Sequence, residues 1–168
     1  MADLTPSELL QPSLLDRLTD DDPDSAVESR DARVMDVRRL KAAVLRDLEW
    51  LLNACAPPAD DPIHRTAHAR QYVLNYGLPD VTGLSAAGIR EADLIESIAR
   101  AVRRFEPRII PRTLNVRALR GVSNRRPNVL VFEIEGEMYA DPVPEALHLR
   151  TDLDLETGRT TLEEQRRG

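Results

Sequence analysis

The sequence predicts an α+β domain in which about three N-terminal helices pack on a C-terminal antiparallel sheet of about four strands. Apolar residues recur every three or four positions up to about residue 105, and every second position from about residue 114. These are the periods of helices and strands, and helical runs followed by strand runs indicate an α+β fold. Hydrophobic residues make up 42% of the 168 residues, which is enough for one packed core.

The helices are expected in three places. The first covers about 35–54, and the prolines of "CAPPADDP" end it because they cannot continue the hydrogen-bond ladder. A short second helix is expected from 61 to about 74, followed by a turn at Gly77. The third covers about 88–105 and carries arginines in its last turns. In the first helix the apolar face consists of Val37, Leu40, Val44, Leu48 and Leu51, widened by Leu45, Trp50 and Leu52.

Four strands follow the helices. Alternation of apolar and polar residues predicts them at about 114–118, 128–139, 146–155 and 160–163. The segment "ETGR" provides the turn before the last strand. We expect one domain over residues 35–164, an extended acidic arm over 1–34 and a short tail over 165–168.

The charge distribution limits the classes of partner. Residues 37–126 hold sixteen basic and nine acidic side chains, whereas both ends of the chain are acidic. A basic middle segment could meet nucleic acid, but its arginines alternate with acids and no aromatic run accompanies them. No apolar run approaches the roughly 20 residues of a membrane span. We therefore expect neither a nucleic-acid partner nor direct membrane insertion, and the single Cys55 is typical of a cytosolic chain.

A short apolar segment, "PSLLDRL" at 12–18, interrupts the acidic arm. Leu14, Leu15 and Leu18 have helical spacing, and Ser13 could cap the turn with Asp16. Seven residues are too few for a stable isolated helix, so this hook must be buried by something. The core of its own domain and a partner protein are equally good candidates.

Motifs for enzymatic chemistry are weak. His64 and His68 are four residues apart, but no third ligand is evident, so we expect no metal and no cofactor. Glycoside hydrolysis needs a protonated carboxyl group, and Glu106 beside Phe105 is the best candidate for such an acid. Arg108 lies close by and favours the ionised form. A peptidoglycan hydrolase with Glu106 as acid is therefore the alternative, and no catalytic residue is assigned.

The stretch "FEPRII" at 105–110 places an acid and a base on either side of a proline. Pro107 excludes the helical conformation at Glu106, so the third helix must end near Phe105. Extended backbone would direct Glu106 and Arg108 to the same side. The two charges could neutralise each other, or both could be presented to a partner. Physical chemistry alone does not decide between these alternatives.

Five segments in this order resemble one family: "PSLLDRL" (12–18), "VLRDLEWLLN" (44–53), "VLNYGLPD" (73–80), "FEPRII" (105–110) and "LDLETGR" (153–159). Together they are similar to TssE, the baseplate subunit of the bacterial type VI secretion system. That subunit is itself similar to the small baseplate-wedge protein of contractile phage tails, a family often named lysozyme-like. The resemblance covers about residues 12 to 162.

The resemblance implies a structural subunit that is not an enzyme. It implies a cytoplasmic location, in a baseplate docked at the inner membrane. The implied partners are the wedge proteins TssF and TssG, with TssK as a further candidate, and the sheath proteins TssB and TssC. The partner-binding residues implied are Glu106, Pro107 and Arg108, together with Pro12, Leu14, Leu15, Asp16, Arg17 and Leu18.

The resemblance also implies that the sheath begins to assemble on an open edge of the sheet. An open edge binds a further strand through main-chain hydrogen bonds. The candidates for this pairing are the C-terminal strands at about 146–162, with Leu147, Leu149, Thr151 and Leu153.

Overall fold

The structure is a computed structural model that describes residues 13–19, 37–58, 60–65, 68, 72–83, 90–119, 128–140 and 143–165. Within these ranges the helices precede a four-stranded antiparallel sheet, so the predicted α+β class is confirmed. The helices are α1 (Leu14–Leu18), α2 (Val37–Asn53) and α3 (Glu91–Phe105). The strands are β1 (Asn115–Ala118), β2 (Val129–Met138), β3 (Glu145–Asp154) and β4 (Thr160–Glu164). The division into arm, domain and tail stays a prediction, because most of the arm and residues 166–168 lie outside the described ranges.

The sheet has the simplest antiparallel order, β1-β2-β3-β4. Its register places apolar residues opposite one another: Val116 faces Ile134, Ile134 faces Leu149, and Leu130 faces Leu153. Because side chains alternate between the two faces of a strand, this register collects the apolar side chains on one face. The turn between β3 and β4 contains Gly158 at φ 68°.

The core lies between this face and two helices. α2 packs against β4, α3 packs against β1, and the two helices contact each other. The predicted apolar stripe of α2 is buried at Leu40, Val44, Leu48 and Leu51. Trp50, which was expected to widen that stripe, is instead 52% exposed. Leu52 is buried and Leu45 is partly buried, so only Trp50 of the three residues lies outside the buried face.

The region between α2 and α3 differs from expectation. In place of one helix over 61–74, the described residues form two short 3₁₀ helices, Pro62–Arg65 and Val73–Asn75. The chain then returns to the end of α2, where the N–H of Leu78 donates to the carbonyl oxygen of Ala54 at 2.9 Å. Gly77 has φ 116°, and a β-carbon there would lie 2.3 Å from the same carbonyl oxygen. Glycine thus permits a close passage of the backbone rather than capping a helix.

Candidate functional site

The end of α3 sets the geometry of the Glu-Pro-Arg triplet at 106–108. Glu106 has φ −120° and ψ 77°, outside the helical region, and its N–H donates to the carbonyl oxygen of Val102 at 2.9 Å. Pro107 explains this end, because proline disfavours the helical conformation at the preceding residue. The backbone then pairs with the end of β2, since the N–H of Tyr139 donates to the carbonyl oxygen of Arg108 at 2.8 Å. The triplet is held between a helix end and the sheet.

Glu106 and Arg108 form an internal ion pair. The carboxylate of Glu106 accepts hydrogen bonds from Nε of Arg108 at 2.6 Å, from its Nη2 at 2.5 Å and from its backbone N–H at 3.1 Å. Glu106 is only 2% exposed, whereas the side chain of Arg108 is 23% exposed. The two charges lie on the same side, as expected. Of the two alternatives left open by the sequence, the structure contains the mutual neutralisation, because the carboxylate points inward and Arg108 covers it.

The ion pair continues across α2 to α1. Nη2 of Arg108 also donates to Oδ2 of Asp47 at 2.5 Å, and Oδ1 of Asp47 accepts from Nε of Arg46 at 2.9 Å. Nη1 of Arg46 in turn donates to Oδ1 of Asp16 at 2.6 Å. We call these five side chains the ion-pair chain: Glu106, Arg108, Asp47, Arg46 and Asp16. Three acids alternate with two arginines, so each arginine bridges two carboxylates that belong to different parts of the sequence.

Two members of the ion-pair chain, Arg108 and Asp16, show the electrostatic effect of this arrangement. Burial acts to lower the pKa of Arg108, but the hydrogen bonds and charges of Glu106 and Asp47 raise it well above its ordinary value. Burial acts to raise the pKa of Asp16, but its hydrogen bonds with Ser13 and Arg46 and the charge of Arg46 lower it overall. The structure therefore favours the charged forms of Arg108 and Asp16.

The hook forms α1, and its polar side rather than its apolar side faces the domain. Ser13 caps the helix, because its Oγ accepts from the N–H of Asp16 at 3.3 Å. Asp16 then reaches Arg46 on α2, while Leu14, Leu15 and Leu18 are 71%, 43% and 75% exposed. Of the two candidates for burying the hook, its own core is not the one used in this structure. Three leucines on one short helix are left facing outward.

The sequence did not identify Arg46 and Asp47, which are central to this site. It did predict Pro12 and Arg17 as binding residues, but the structure describes neither Pro12 nor the side chain of Arg17. Arg46 and Asp47 join the hook to the triplet, and the guanidinium of Arg46 lies 5.2 Å from the ring centre of Trp50. Adjacent opposite charges on a helix next to an apolar stripe were the only available signal. Pro12 and the side chain of Arg17 lie outside the described residues, so their assignment stays a prediction.

The residues expected to pair with a sheath strand lie in the middle of the sheet. β3 is bonded to β2 on one side and to β4 on the other, so its main-chain groups are already used. The side chains assigned to this role are at most 3% exposed: Leu147, Leu149, Thr151 and Leu153. The assignment to β3 is therefore corrected. In the described part of the chain, the strands with one unpaired edge are β1 and β4.

The described residues offer little for other chemistry. Among them, no group of three His, Cys, Asp or Glu side chains could hold a metal ion, and no helix is long and apolar enough to cross a membrane. The side chain of His64 is not described, and His68 is exposed. A surface pocket lies between the end of α2 and the β3–β4 turn, lined by Cys55, Leu78 and Leu153 among others. Glu106 is not part of that pocket.

Comparison with known protein families gives a match. The model of a family described as baseplate wedge protein gp25 matches residues 38–143, more than half of the chain. The matched range includes α2 apart from its first residue, α3, β1 and β2, and with them Arg46, Asp47 and the triplet at 106–108. No curated protein and no solved structure matches the chain significantly.

Proposed function

We propose that this chain, which belongs to the family of baseplate wedge protein gp25, is a TssE-type structural subunit of a type VI secretion baseplate. In this role it binds the wedge proteins TssF and TssG, and in a fuller assembly TssK, and it provides the starting point for the sheath proteins TssB and TssC. The assembly would be cytoplasmic and docked at the inner membrane. The family supports a baseplate role in general, and the finer assignment rests on the resemblance of the five segments described above.

The observation that carries the proposal is the ion-pair chain. It holds the hook against α2 through Asp16 while leaving Leu14 and Leu18 exposed. It also fixes the guanidinium of Arg108, which is the only charged group of the triplet that reaches the surface. An ordered apolar element beside a fixed arginine is a feature of protein interfaces, where apolar anchors and arginine contribute most of the binding energy.

We propose that the wedge contact is made by Arg108, Pro107 and the leucines of the hook, with Glu106 acting through Arg108. Pro107 is exposed and its ring fixes the turn that presents Arg108. Glu106 orients the guanidinium through two side-chain hydrogen bonds. A fixed planar guanidinium suits a carboxylate on the wedge protein better than a flexible lysine would.

We propose no catalytic activity. The hydrolase alternative needs Glu106 to donate a proton, but its carboxylate accepts three hydrogen bonds from Arg108 and is buried. A general acid must reach the leaving group of its substrate. Purified protein is therefore expected to leave cell-wall substrate intact, and turnover that Glu106→Gln abolishes would restore the alternative.

The test of the proposal is affinity purification of the tagged protein from its own bacterium, with mass spectrometry of what co-purifies. Two variants address the interface. Leu14→Ser with Leu18→Ser removes the exposed anchors, and Glu106→Gln with Arg108→Gln removes the charges but keeps a hydrogen-bonding pair of similar size. Arg103→Gln, at an exposed position near the end of α3, is the matched control.

We expect wedge and sheath proteins to co-purify with the wild type and the control. Each interface variant should lose wedge proteins by at least about tenfold, which corresponds to about 1.4 kcal/mol of binding free energy. Circular dichroism and the thermal midpoint of each variant establish that it is folded. Full recovery of wedge proteins with both folded interface variants would refute the docking role of the hook and of the triplet.

A further inference from the structure

The outer face of the sheet carries a row of charges that alternate in sign across all four strands. Arg117 of β1 lies opposite Glu133 of β2, Glu133 lies opposite Arg150 of β3, and Arg150 lies opposite Glu163 of β4. At the β1 end the last two charges of the row are bonded to each other, because Nε of Arg117 donates to Oε2 of Glu133 at 2.6 Å. Opposite charges on facing residues of neighbouring strands stabilise their pairing.

At the β4 end the row is open. Nε of Arg150 donates to Oδ1 of Asp152 on its own strand at 3.1 Å. Glu163 is exposed and makes no ion pair with any part of the chain that the structure describes. The row therefore ends at the sheet edge on an exposed acidic side chain, with no strand on its outer side in the described part of the chain.

The main chain of β4 shows which groups a further strand could bond. The N–H of Gln165 donates to the carbonyl oxygen of His148, and the N–H of Asp154 donates to the carbonyl oxygen of Arg159, each at 2.9 Å. These two bonds bracket the β3–β4 ladder, so Thr161 and Glu163 direct their main-chain groups toward β3. By the same alternation, Leu162 and Glu164 direct theirs toward the open edge.

Asn53, at the end of α2, bonds the main chain of Thr160, the first residue of β4 whose groups point to the open edge. Its Oδ1 accepts from the N–H of Thr160 at 2.9 Å, and its Nδ2 donates to the carbonyl oxygen of Thr160 at 2.9 Å. The side-chain amide thus replaces a neighbouring strand at this residue. Lys41 of α2 contacts the carboxylate of Glu164 at 2.5 Å and holds the other end of β4. A further strand can therefore pair only from Leu162 onward, which limits its register.

We propose that the segment which adds to β4 carries an arginine or lysine opposite Glu163, and that it belongs to a sheath protein. The inference rests on the proposed function, in which this chain is the starting point for the sheath, and it assigns that contact to the edge of β4. In an antiparallel addition the residue opposite Glu163 lies in a non-hydrogen-bonded pair, where the side chains are closest, at a Cα separation of about 4.5 Å. A basic side chain there continues the alternating row by one further strand.

A second copy of this chain is a poorer occupant of the edge. Its β1 would bring Arg117 to Glu163, but Arg117 is already bonded to Glu133 and lies 3.5 Å from Glu135. Forming the new pair would weaken these existing contacts. A sheath segment with an uncommitted basic residue meets no such competition.

The experiment uses the full chain co-expressed with the sheath proteins of its own bacterium and measures how much sheath protein is retained. Glu163→Arg places like charges opposite each other and should reduce retention about tenfold, whereas Glu163→Gln should reduce it less. Thr161→Arg, an exposed position on the same strand and face, is the control and should retain the wild-type level. Changing the basic residue of the sheath segment to glutamate should restore binding to Glu163→Arg.

That basic residue is located by cross-linking from Glu163→Cys in a Cys55→Ser background. Leu162→Pro and Glu164→Pro separate this inference from the proposed function, because each removes an N–H that points to the open edge. If folded proline variants retain sheath protein, strand addition at β4 is refuted, and this inference with it. If they lose it while Glu163→Arg retains it, only the basic partner is refuted. Association of the chain with itself that depends on Glu163 would refute the assignment to a sheath protein.

Discussion

Glu106 shows how one arginine can satisfy a carboxylate that the fold has buried. A buried charge is costly unless it is paired and hydrogen-bonded, and Arg108 supplies both the charge and three donors. Because Pro107 fixes the short turn between them, the pair forms within three residues and then couples outward to Asp47. The triplet therefore has a structural role in the folded chain, and single substitutions of Glu106 or Arg108 should lower stability.

Replacing Arg108 by alanine leaves Glu106 buried and unpaired, so we expect it to lower the free energy of unfolding by about 3 kcal/mol. Glu106→Gln with Arg108→Gln removes both charges and should lower it by distinctly less. Arg103→Ala, at an exposed position of α3, should change it by less than about 0.5 kcal/mol. Urea unfolding at pH 7 measures all three, and a double variant as unstable as Arg108→Ala would contradict this account.

Asp16 makes the attachment of the hook dependent on pH. Its folded-state pKa is lowered below the ordinary value of 3.8, so its stabilising contribution is present above about pH 4 and is lost as the pH falls through the folded-state pKa. Trp50, the single tryptophan, lies under Arg46 and can report this change through its fluorescence. We expect a change in emission below about pH 4 that Asp16→Asn removes. An identical titration in Asp16→Asn would show that another group is responsible.

At the scale of elements, the end of α2 organises the segment that follows it. The side-chain amide of Asn53 bonds the main chain of Thr160, the first residue of β4. The carbonyl oxygen of the next residue, Ala54, accepts a hydrogen bond from the N–H of Leu78, where the chain returns to α2. The return passes so close to Ala54 that Gly77 is required there, with positive φ and no room for a β-carbon. The packing of α2 on the sheet and the path of residues 72–83 are therefore set together.

Gly77→Ala should be strongly destabilising, because it combines backbone strain with a contact between the new β-carbon and the carbonyl oxygen of Ala54. Gly83→Ala is a matched control, since Gly83 also has positive φ, at 76°, but has open space around it. We expect the control to lose about 1 kcal/mol from strain alone and Gly77→Ala to lose at least about 2 kcal/mol more. Thermal unfolding compares them, and equal losses would show that the close passage relaxes easily.

At the scale of the whole molecule, the ion-pair chain joins three separated regions. It connects α1, the middle of α2 and the turn between α3 and β1. Its members extend along the sequence from Asp16 to Arg108. Both regions proposed to contact wedge proteins are therefore fastened to one helix. We predict that a change at the hook affects Arg108 through Arg46 and Asp47.

A double-mutant cycle tests this coupling. Asp16→Asn and Arg108→Lys are measured singly and together, and their effects on the free energy of unfolding should differ from additivity by at least about 0.5 kcal/mol. Their side chains do not contact each other, so a coupling must pass through Arg46 and Asp47. Introducing Arg46→Gln should remove it. Additive effects in the wild-type background would show that the ion-pair chain does not couple Asp16 to Arg108.

Much of the fold could be predicted because its signals are local. The apolar period of α2 and α3, the alternation along β2 and β3, and the proline that ends α3 each act within a few residues. Their bounds agree with expectation to within about three residues. The same local logic failed at 61–74, where helix-compatible residues form 3₁₀ turns beside a close backbone passage, and at Trp50, which the core leaves uncovered.

By itself the sequence determined the α+β class, the order of the elements, the end of α3 near Phe105 and the family resemblance. Only the tertiary structure decided that Glu106 is buried beneath Arg108, that Asp16 fastens the hook with its leucines outward, and that β3 is internal while β4 is at the edge. The reason is physical. Period and turn chemistry depend on neighbouring residues, whereas burial, ion pairing and the open edge depend on which distant residues the fold brings together.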